Sequence, residues 1–207
     1  MYGVAAARPE AVNAGIHILE KGGTAFDAAI AVSLTLGVTE PFYSGLGGGG
    51  VSLLWNEKEK KISFIDFGNE CSSQVTSSMF ECDEVGKHLS NEHNRGYLSI
   101  LVPGLLKGLE AIHSKFSNMS WETLFKDPIH FARSGFQSKE KRFAEMLEQF
   151  PYLRKIHSKN GIPHKLGSFI KQPELAETLD TIAREGSKVF YNGEIGQKIT
   201  EEMDKGN

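Results

Sequence analysis

Ser44-Gly45-Leu46-Gly47-Gly48-Gly49-Gly50, running into Val51-Ser52-Leu53-Leu54-Trp55, governs how the rest of this 207-residue sequence is read. Four consecutive glycines lose much conformational freedom on folding. A fold keeps them where backbone needs positive φ or very close approach. A phosphate-binding loop would need a strand before it, a helix after it and a lysine to meet the phosphates. Here the loop follows a helical pattern, precedes a strand pattern and has Val51-Ser52 where lysine and hydroxyl belong. The dinucleotide fingerprint fails for the same reason, since its glycines must open a helix. The remaining reading is that the glycines let a strand pass tightly against a neighbouring element.

Upstream of the glycines the chain reads as two helices. Pro9 suits a first turn, and Ala11-Val12, Gly15-Ile16 and Leu19 recur at helical spacing until Gly22-Gly23. Thr24 is an N-cap candidate with Asp27 at N3. The helix it opens carries Ala28, Ala29, Ile30, Ala31, Val32, Leu34 and Leu36, and ends before Pro41. A helix apolar on most faces belongs in a core.

Downstream, residues 51–55 and 62–67 read as two strands around the charged turn Asn56-Glu57-Lys58-Glu59-Lys60-Lys61, a β-hairpin. Residues 68–95 are polar and read as a long loop with one short helix, and 96–102 as a further strand ended by Pro103-Gly104. Helical groupings follow: Leu105, Leu109 and Ile112; Leu124, Ile129 and Phe131; Phe143, Met146, Leu147 and Phe150; Leu175, Leu179 and Ile182 behind Pro173; and Ile195, Ile199 and Met203. Helices, a hairpin, a strand and more helices make an α+β order, not a βαβ alternation. No internal repeat or linker marks a boundary, so 1–207 reads as one domain.

The charge balance excludes some functions. With 23 basic and 26 acidic residues the net charge is −3, unlike the basic face of a nucleic-acid binder. Two cysteines, Cys71 and Cys82, build no disulfide framework, and no Cys/His spacing suggests zinc. Of seven histidines none has the spacing that puts two imidazoles on one helix face. His88 and His93 share a loop with Asp83, Glu84 and Glu92, a weak metal arrangement that more often is a solvated loop. His17 reads as a packed or surface histidine. Neither a serine elbow nor a partnered cysteine offers a nucleophile. No stretch reaches the roughly 18 apolar residues of a membrane helix; the best, 25–38, contains Asp27, Ser33 and Thr35. Met1-Tyr2-Gly3-Val4-Ala5-Ala6-Ala7-Arg8 does not read as a secretory signal. The expected location is therefore cytoplasmic, or secreted or periplasmic if a leader has been removed.

Taken together, Gly3-Val4-Ala5-Ala6-Ala7, Ile18-Leu19-Glu20-Lys21-Gly22-Gly23-Thr24-Ala25-Phe26-Asp27-Ala28-Ala29-Ile30-Ala31, Leu36-Gly37-Val38-Thr39-Glu40-Pro41 and the glycine run resemble the γ-glutamyltransferase (γ-glutamyltranspeptidase) family. Val102-Pro103-Gly104 with Gly108-Leu109, and Phe190-Tyr191-Asn192-Gly193-Glu194-Ile195, extend the likeness. The resemblance implies an N-terminal-nucleophile hydrolase, an αββα sandwich made as a precursor that cuts itself into two subunits. This chain would be the N-terminal portion of the large subunit. Its partner would be the small subunit, whose new N-terminal threonine attacks a γ-glutamyl amide with its own amine as base. Glutathione is the family's usual donor, water or an amino acid or peptide the acceptor, and no metal or cofactor is implied. No catalytic residue is expected within these 207 residues, which alone should be inactive.

One departure stands out. Many members carry a D-x-R-E-x-A-P segment whose arginine clamps the donor's α-carboxylate. Here the stretch is Asp66-Phe67-Gly68-Asn69-Glu70-Cys71-Ser72, with no arginine, and Asn69 cannot reproduce a bidentate guanidinium contact. Asn69 and Glu70 are the expected substrate-binding residues, with Gly47, Gly48, Gly49 and Gly50 as the structural loop beside them. Three readings stay open: a cation supplied by polypeptide outside this chain, a relative directed at poly-γ-glutamate or another amide, and a catalytically inactive structural or interaction protein.

Overall fold

In a computed structural model the chain is described at residues 2–76, 78–90, 92–139, 145, 147–148, 153–159 and 162–206. Its elements are α1 (Pro9–Glu20), α2 (Ala25–Thr39), β1 (Gly50–Asn56), β2 (Lys61–Phe67), α3 (Leu105–Phe116), α4 (Trp121–Leu124), α5 (Lys126–Ser134), β3 (Phe136–Gln137), α6 (Leu153–His157), β4 (Ser158–Lys159), β5 (Ile162–Pro163), β6 (Phe169–Ile170), α7 (Pro173–Glu185), α8 (Lys188–Tyr191) and α9 (Glu194–Met203). They divide into two units. One takes the chain up to Gly45 together with Ile112–Arg184; the other takes Leu46–Ala111 together with the chain from Glu185 onward.

The first unit is helical and is organised by α2. Thr24 caps that helix as its sequence predicts: its hydroxyl accepts from the Asp27 amide, and the Asp27 carboxylate accepts from the Thr24 amide. Asp27 is fully buried, and its carboxylate also takes the Ser117 hydroxyl and the Asn118 and Met119 amides. One residue thus ties the start of α2 to the end of α3. Ala28, Ile30, Ala31, Leu34 and Val38 bury the rest of α2, which packs on α1 and α5. Its two interior hydroxyls are satisfied within the helix, Thr35 on the Ala31 carbonyl and Thr39 on that of Thr35. α1 stops where Gly22 takes φ +86, a value glycine tolerates without cost. In α7, Ala176, Leu179 and Ile182 are buried, and the Ile182 carbonyl receives the Trp121 indole. β3 pairs with β6, and β4 with β5, as two-residue antiparallel ladders. The predicted grouping of Phe143, Met146, Leu147 and Phe150 lies outside the described residues except for Leu147, which is buried.

The second unit holds the hairpin and the glycine loop. β1 and β2 pair antiparallel with Gly50 opposite Phe67, Leu53 opposite Phe64 and Trp55 opposite Ile62. Val51, Leu53 and Trp55 share one face with Ile62 and Phe64, and every one is more than half exposed. Leu54, on the other face, is buried. Two expectations need correction. Residues 96–102 form no strand: Tyr97–Ser99 is a single 3₁₀ turn, and only Val102 pairs, in an isolated bridge with Glu70. Ser99 and Ile100 satisfy their amides locally, on Gly96 and Tyr97, and Pro103 has no N–H with which to continue a ladder. The loop from 68 to 95 has turns and a bridge between Cys82 and His88, but no helix among the described residues.

Candidate functional site

The glycine loop is a joint. The first amides of an α-helix have no partner within it, and at the start of α3 the Gly48 carbonyl takes two, those of Gly104 (3.1 Å) and Leu105 (2.9 Å). None of Gly47, Gly48, Gly49 and Gly50 has positive φ; close approach calls for glycine at Gly49 and Gly50, whereas a Cβ on Gly47 would meet nothing within 4 Å. A Cβ on Gly49 would stand 2.5 Å from Asn69 Oδ1 and 2.7 Å from the Phe67 carbonyl. A Cβ on Gly104 would collide with the Phe67 and Gly68 carbonyls, and one on Gly108 with the Phe67 ring. The end of β2 is thereby pressed along the first turn of α3. Glu70 completes the attachment, exchanging backbone hydrogen bonds with Val102 (3.1 and 2.8 Å).

Between these segments lies a cleft of about 700 Å³ whose polar lining is Asp66, Asn69, Glu70, Lys107 and Tyr191. Tyr191 closes one wall. Its hydroxyl donates to the Pro103 carbonyl (3.0 Å) and accepts from the Lys107 amide (3.3 Å), so it supplies another partner that the first turn of α3 lacks. Desolvation, with the Glu110 charge adding, pushes the Tyr191 phenol up against the opposing Lys107 amide, and it stays neutral. The Lys107 ammonium donates to Glu110 Oε2 (3.1 Å) and lies 5.6 Å from the Tyr191 ring centroid, within cation–π range. Burial pushes the Glu110 carboxyl up, but Ser187 and Lys107 outweigh it and hold the group below its ordinary value. Asp66 spends one carboxylate oxygen on the Gly68 amide (2.9 Å).

No serine, threonine, cysteine or histidine lines this cleft among the described residues. It can bind and orient a small molecule carrying both signs of charge, but among the described residues it offers no serine, threonine or cysteine nucleophile. Asn69 and Glu70 both stand on its wall. Sequence does not mark Lys107 or Tyr191 as lining a site: Lys107 reads as one more lysine on an amphipathic helix, and Tyr191, quoted only within a family-like stretch, comes from 84 positions further along.

The other chemistry-bearing residues gather elsewhere or not at all. The His88 and His93 rings stack at 3.9 Å and 22°, so they do not converge on a common point. Cys82 Sγ lies 3.3 Å from His88 Nδ1, and Asp83 is engaged by the Val85 and Lys87 amides. No group of three histidine, cysteine, aspartate or glutamate side chains suited to a metal ion occurs among the described residues. His17 is half exposed and faces Asp127 at 3.3 Å. Among the described residues no helix is long and apolar enough to cross a membrane.

Comparison with known proteins gives consistent matches. The family model for gamma-glutamyltranspeptidase matches residues 11–207. Glutathione hydrolase 3 of Arabidopsis thaliana is 33% identical over 198 residues, 92% of this chain and 30% of that protein. The glutathione hydrolase proenzyme of Bacillus subtilis (strain 168) is 34% identical over 206 residues, 96% of this chain and 35% of that protein. The crystal structure of Helicobacter pylori gamma-glutamyltranspeptidase superposes with a TM-score of 0.89 at 29% identity, over 99% of this chain and 60% of that one. The chain thus spans about a third of the length of the curated relatives it matches. The α+β arrangement expected from sequence, that of an N-terminal-nucleophile hydrolase, is the one these relatives carry.

Proposed function

Because the chain belongs to the γ-glutamyltranspeptidase family and covers the N-terminal part of its large subunit, we propose that it serves a γ-glutamyl transfer or hydrolysis reaction whose nucleophile lies on polypeptide beyond these residues. A hydroxyl oxygen attacks the γ-carbonyl carbon of a γ-glutamyl amide. The C–N bond breaks, and the amine leaves with a proton. Water or an acceptor amine then attacks the resulting ester, releases glutamate or a new γ-glutamyl compound, and returns the hydroxyl. The 207 residues contribute the binding wall. In this reading the cleft beside α3 receives the glutamyl head of the donor, with the Glu70 carboxylate facing its ammonium and Asn69 supplying an amide.

The observation that carries the reading is the cleft's composition inside a family member: groups of both charges on a rigid joint, with no serine, threonine or cysteine nucleophile among the described residues. The partner is the small, catalytic part of the same precursor. The hairpin supports that assignment, since a two-stranded sheet is marginal by itself and Leu53 and Phe64 are 73% and 63% exposed. Apolar faces of this kind are normally covered.

Expression of the full-length gene product tests the proposal. Self-cleavage into two subunits, together with release of the aniline from a γ-glutamyl anilide, is expected; absence of both counts against it. The 207-residue chain alone should release none. Replacing Asn69 and Glu70 together should raise the donor KM, and an unchanged KM removes them from the site. A second reading, a relative that has kept the fold and lost catalysis, draws on the lack of arginine across Asp66-Phe67-Gly68-Asn69-Glu70-Cys71-Ser72. A threonine at a processing junction further along the precursor separates the two.

A further inference from the structure

An α-amino acid head carries one carboxylate and one ammonium on the same carbon, so a site that holds it needs a cation and an anion facing one space. Among the described residues lining the cleft, Lys107 is the sole cation, and Asp66 and Glu70 are the anions. Lys107 sits badly for its own helix. It is at the third position of α3, in the turn where the helix dipole favours acids, and that turn contains no acid. It also precedes Glu110 by three residues, the weaker order for a helical ion pair. A lysine that does little for its helix is better explained by what it faces. Its main-chain amide is fixed by the Tyr191 hydroxyl, its ammonium is braced by Glu110 and the Tyr191 ring, and an ammonium has three donors, of which Glu110 takes one.

We propose that Lys107 is the residue that receives the α-carboxylate of the donor, so that selection for carboxylate-bearing donors is carried by the first turn of α3 and not by the segment that follows β2. This rests on the γ-glutamyl reading above. A point charge from an ammonium replaces the geometry of a guanidinium fork, which makes the contact less directional while keeping its sign.

The test uses the full-length protein with K107A and K107R, and two donors that share the scissile bond: γ-glutamyl anilide, and γ-aminobutyryl anilide, which lacks the α-carboxylate. Lys107→Ala is expected to raise KM for the glutamyl donor at least tenfold more than for the aminobutyryl donor, and Lys107→Arg to restore most of the difference. Equal effects on both donors, or none, overturn the proposal. If the unaltered protein cleaves neither donor, the enzymatic reading falls, and calorimetric binding of L-glutamate against γ-aminobutyrate decides this one. A preference for glutamate that K107A abolishes and K107R keeps upholds Lys107; no preference, or one untouched by K107A, overturns it.

Discussion

Replacing Asp27 by asparagine changes one atom at the most heavily used side chain of the first unit. One oxygen of the carboxylate accepts from the Thr24 amide and hydroxyl (both 2.7 Å) and the Asn118 amide (3.2 Å); the other accepts from the Ser117 hydroxyl and the Met119 amide (3.3 Å). An asparagine keeps its oxygen where three donors converge and turns its NH₂ toward Ser117 and Met119. The Ser117 hydroxyl can rotate to accept, but the Met119 N–H cannot. Stranding it costs about 1 kcal/mol, at the low end because Met119 is not fully buried. The three remaining bonds lose their charge assistance, about 1 kcal/mol each. Relief from burying a charge returns part of this, leaving a loss of about 3 kcal/mol, a large fraction of a domain's typical stability. Urea unfolding followed by circular dichroism reads the loss, and hydrogen exchange at the Asn118 and Met119 amides localises it. Asp180→Asn, at an exposed helical pair with Arg184, should stay within about 0.5 kcal/mol of the unaltered chain. An Asp27→Asn variant as stable as that control would refute the reasoning.

Gly108→Ala places a methyl group in the Phe67 ring; overpacking of about 1–3 kcal/mol, less up to about 1 kcal/mol of helix propensity, predicts a net loss near 1–2 kcal/mol by thermal unfolding. Desolvation, with the His164 charge adding, holds His157 below the ordinary histidine value of 6.5. Its contribution is therefore present above 6.5 and lost as pH falls toward the folded value, because the unfolded chain takes up the proton first. The urea midpoint should fall over that window, and less so in His157→Gln. The double substitution of Asn69 and Glu70 should change donor KM with little effect on the melting temperature, since both residues are exposed; a matching drop in stability would mark them as structural.

Much of the first unit is legible in sequence because its signals are local. Thr24 and Asp27 are three apart and satisfy each other, and the apolar run behind them can only be core. The hairpin is equally plain, with its charged turn between two apolar runs. Residues 96–102 mislead for a physical reason. Leu98, Ile100, Leu101 and Val102 have strand composition, but a strand exists only where a partner takes its amides, and Glu70 offers a single bridge. The glycine run predicts close packing, yet what it packs against is set by Phe67, Gly104 and Gly108, which no periodicity connects. The cleft is half legible. Asn69 and Glu70 come from a resemblance in one segment, while Lys107 and Tyr191 meet only once the chain has folded back on itself.

The bare side of the hairpin also bears on how the protein has to be made. Val51, Leu53, Trp55, Ile62 and Phe64 form an adhesive ribbon with unpaired edges, the kind of surface on which nascent chains stick to one another. A cover arriving as a separate molecule would have to compete with that self-association from dilute solution. A cover tethered on the same polypeptide is present locally at about millimolar levels. On the reading proposed above, synthesis as one precursor, severed only after the cover has docked, would protect the ribbon during the interval when it is most vulnerable.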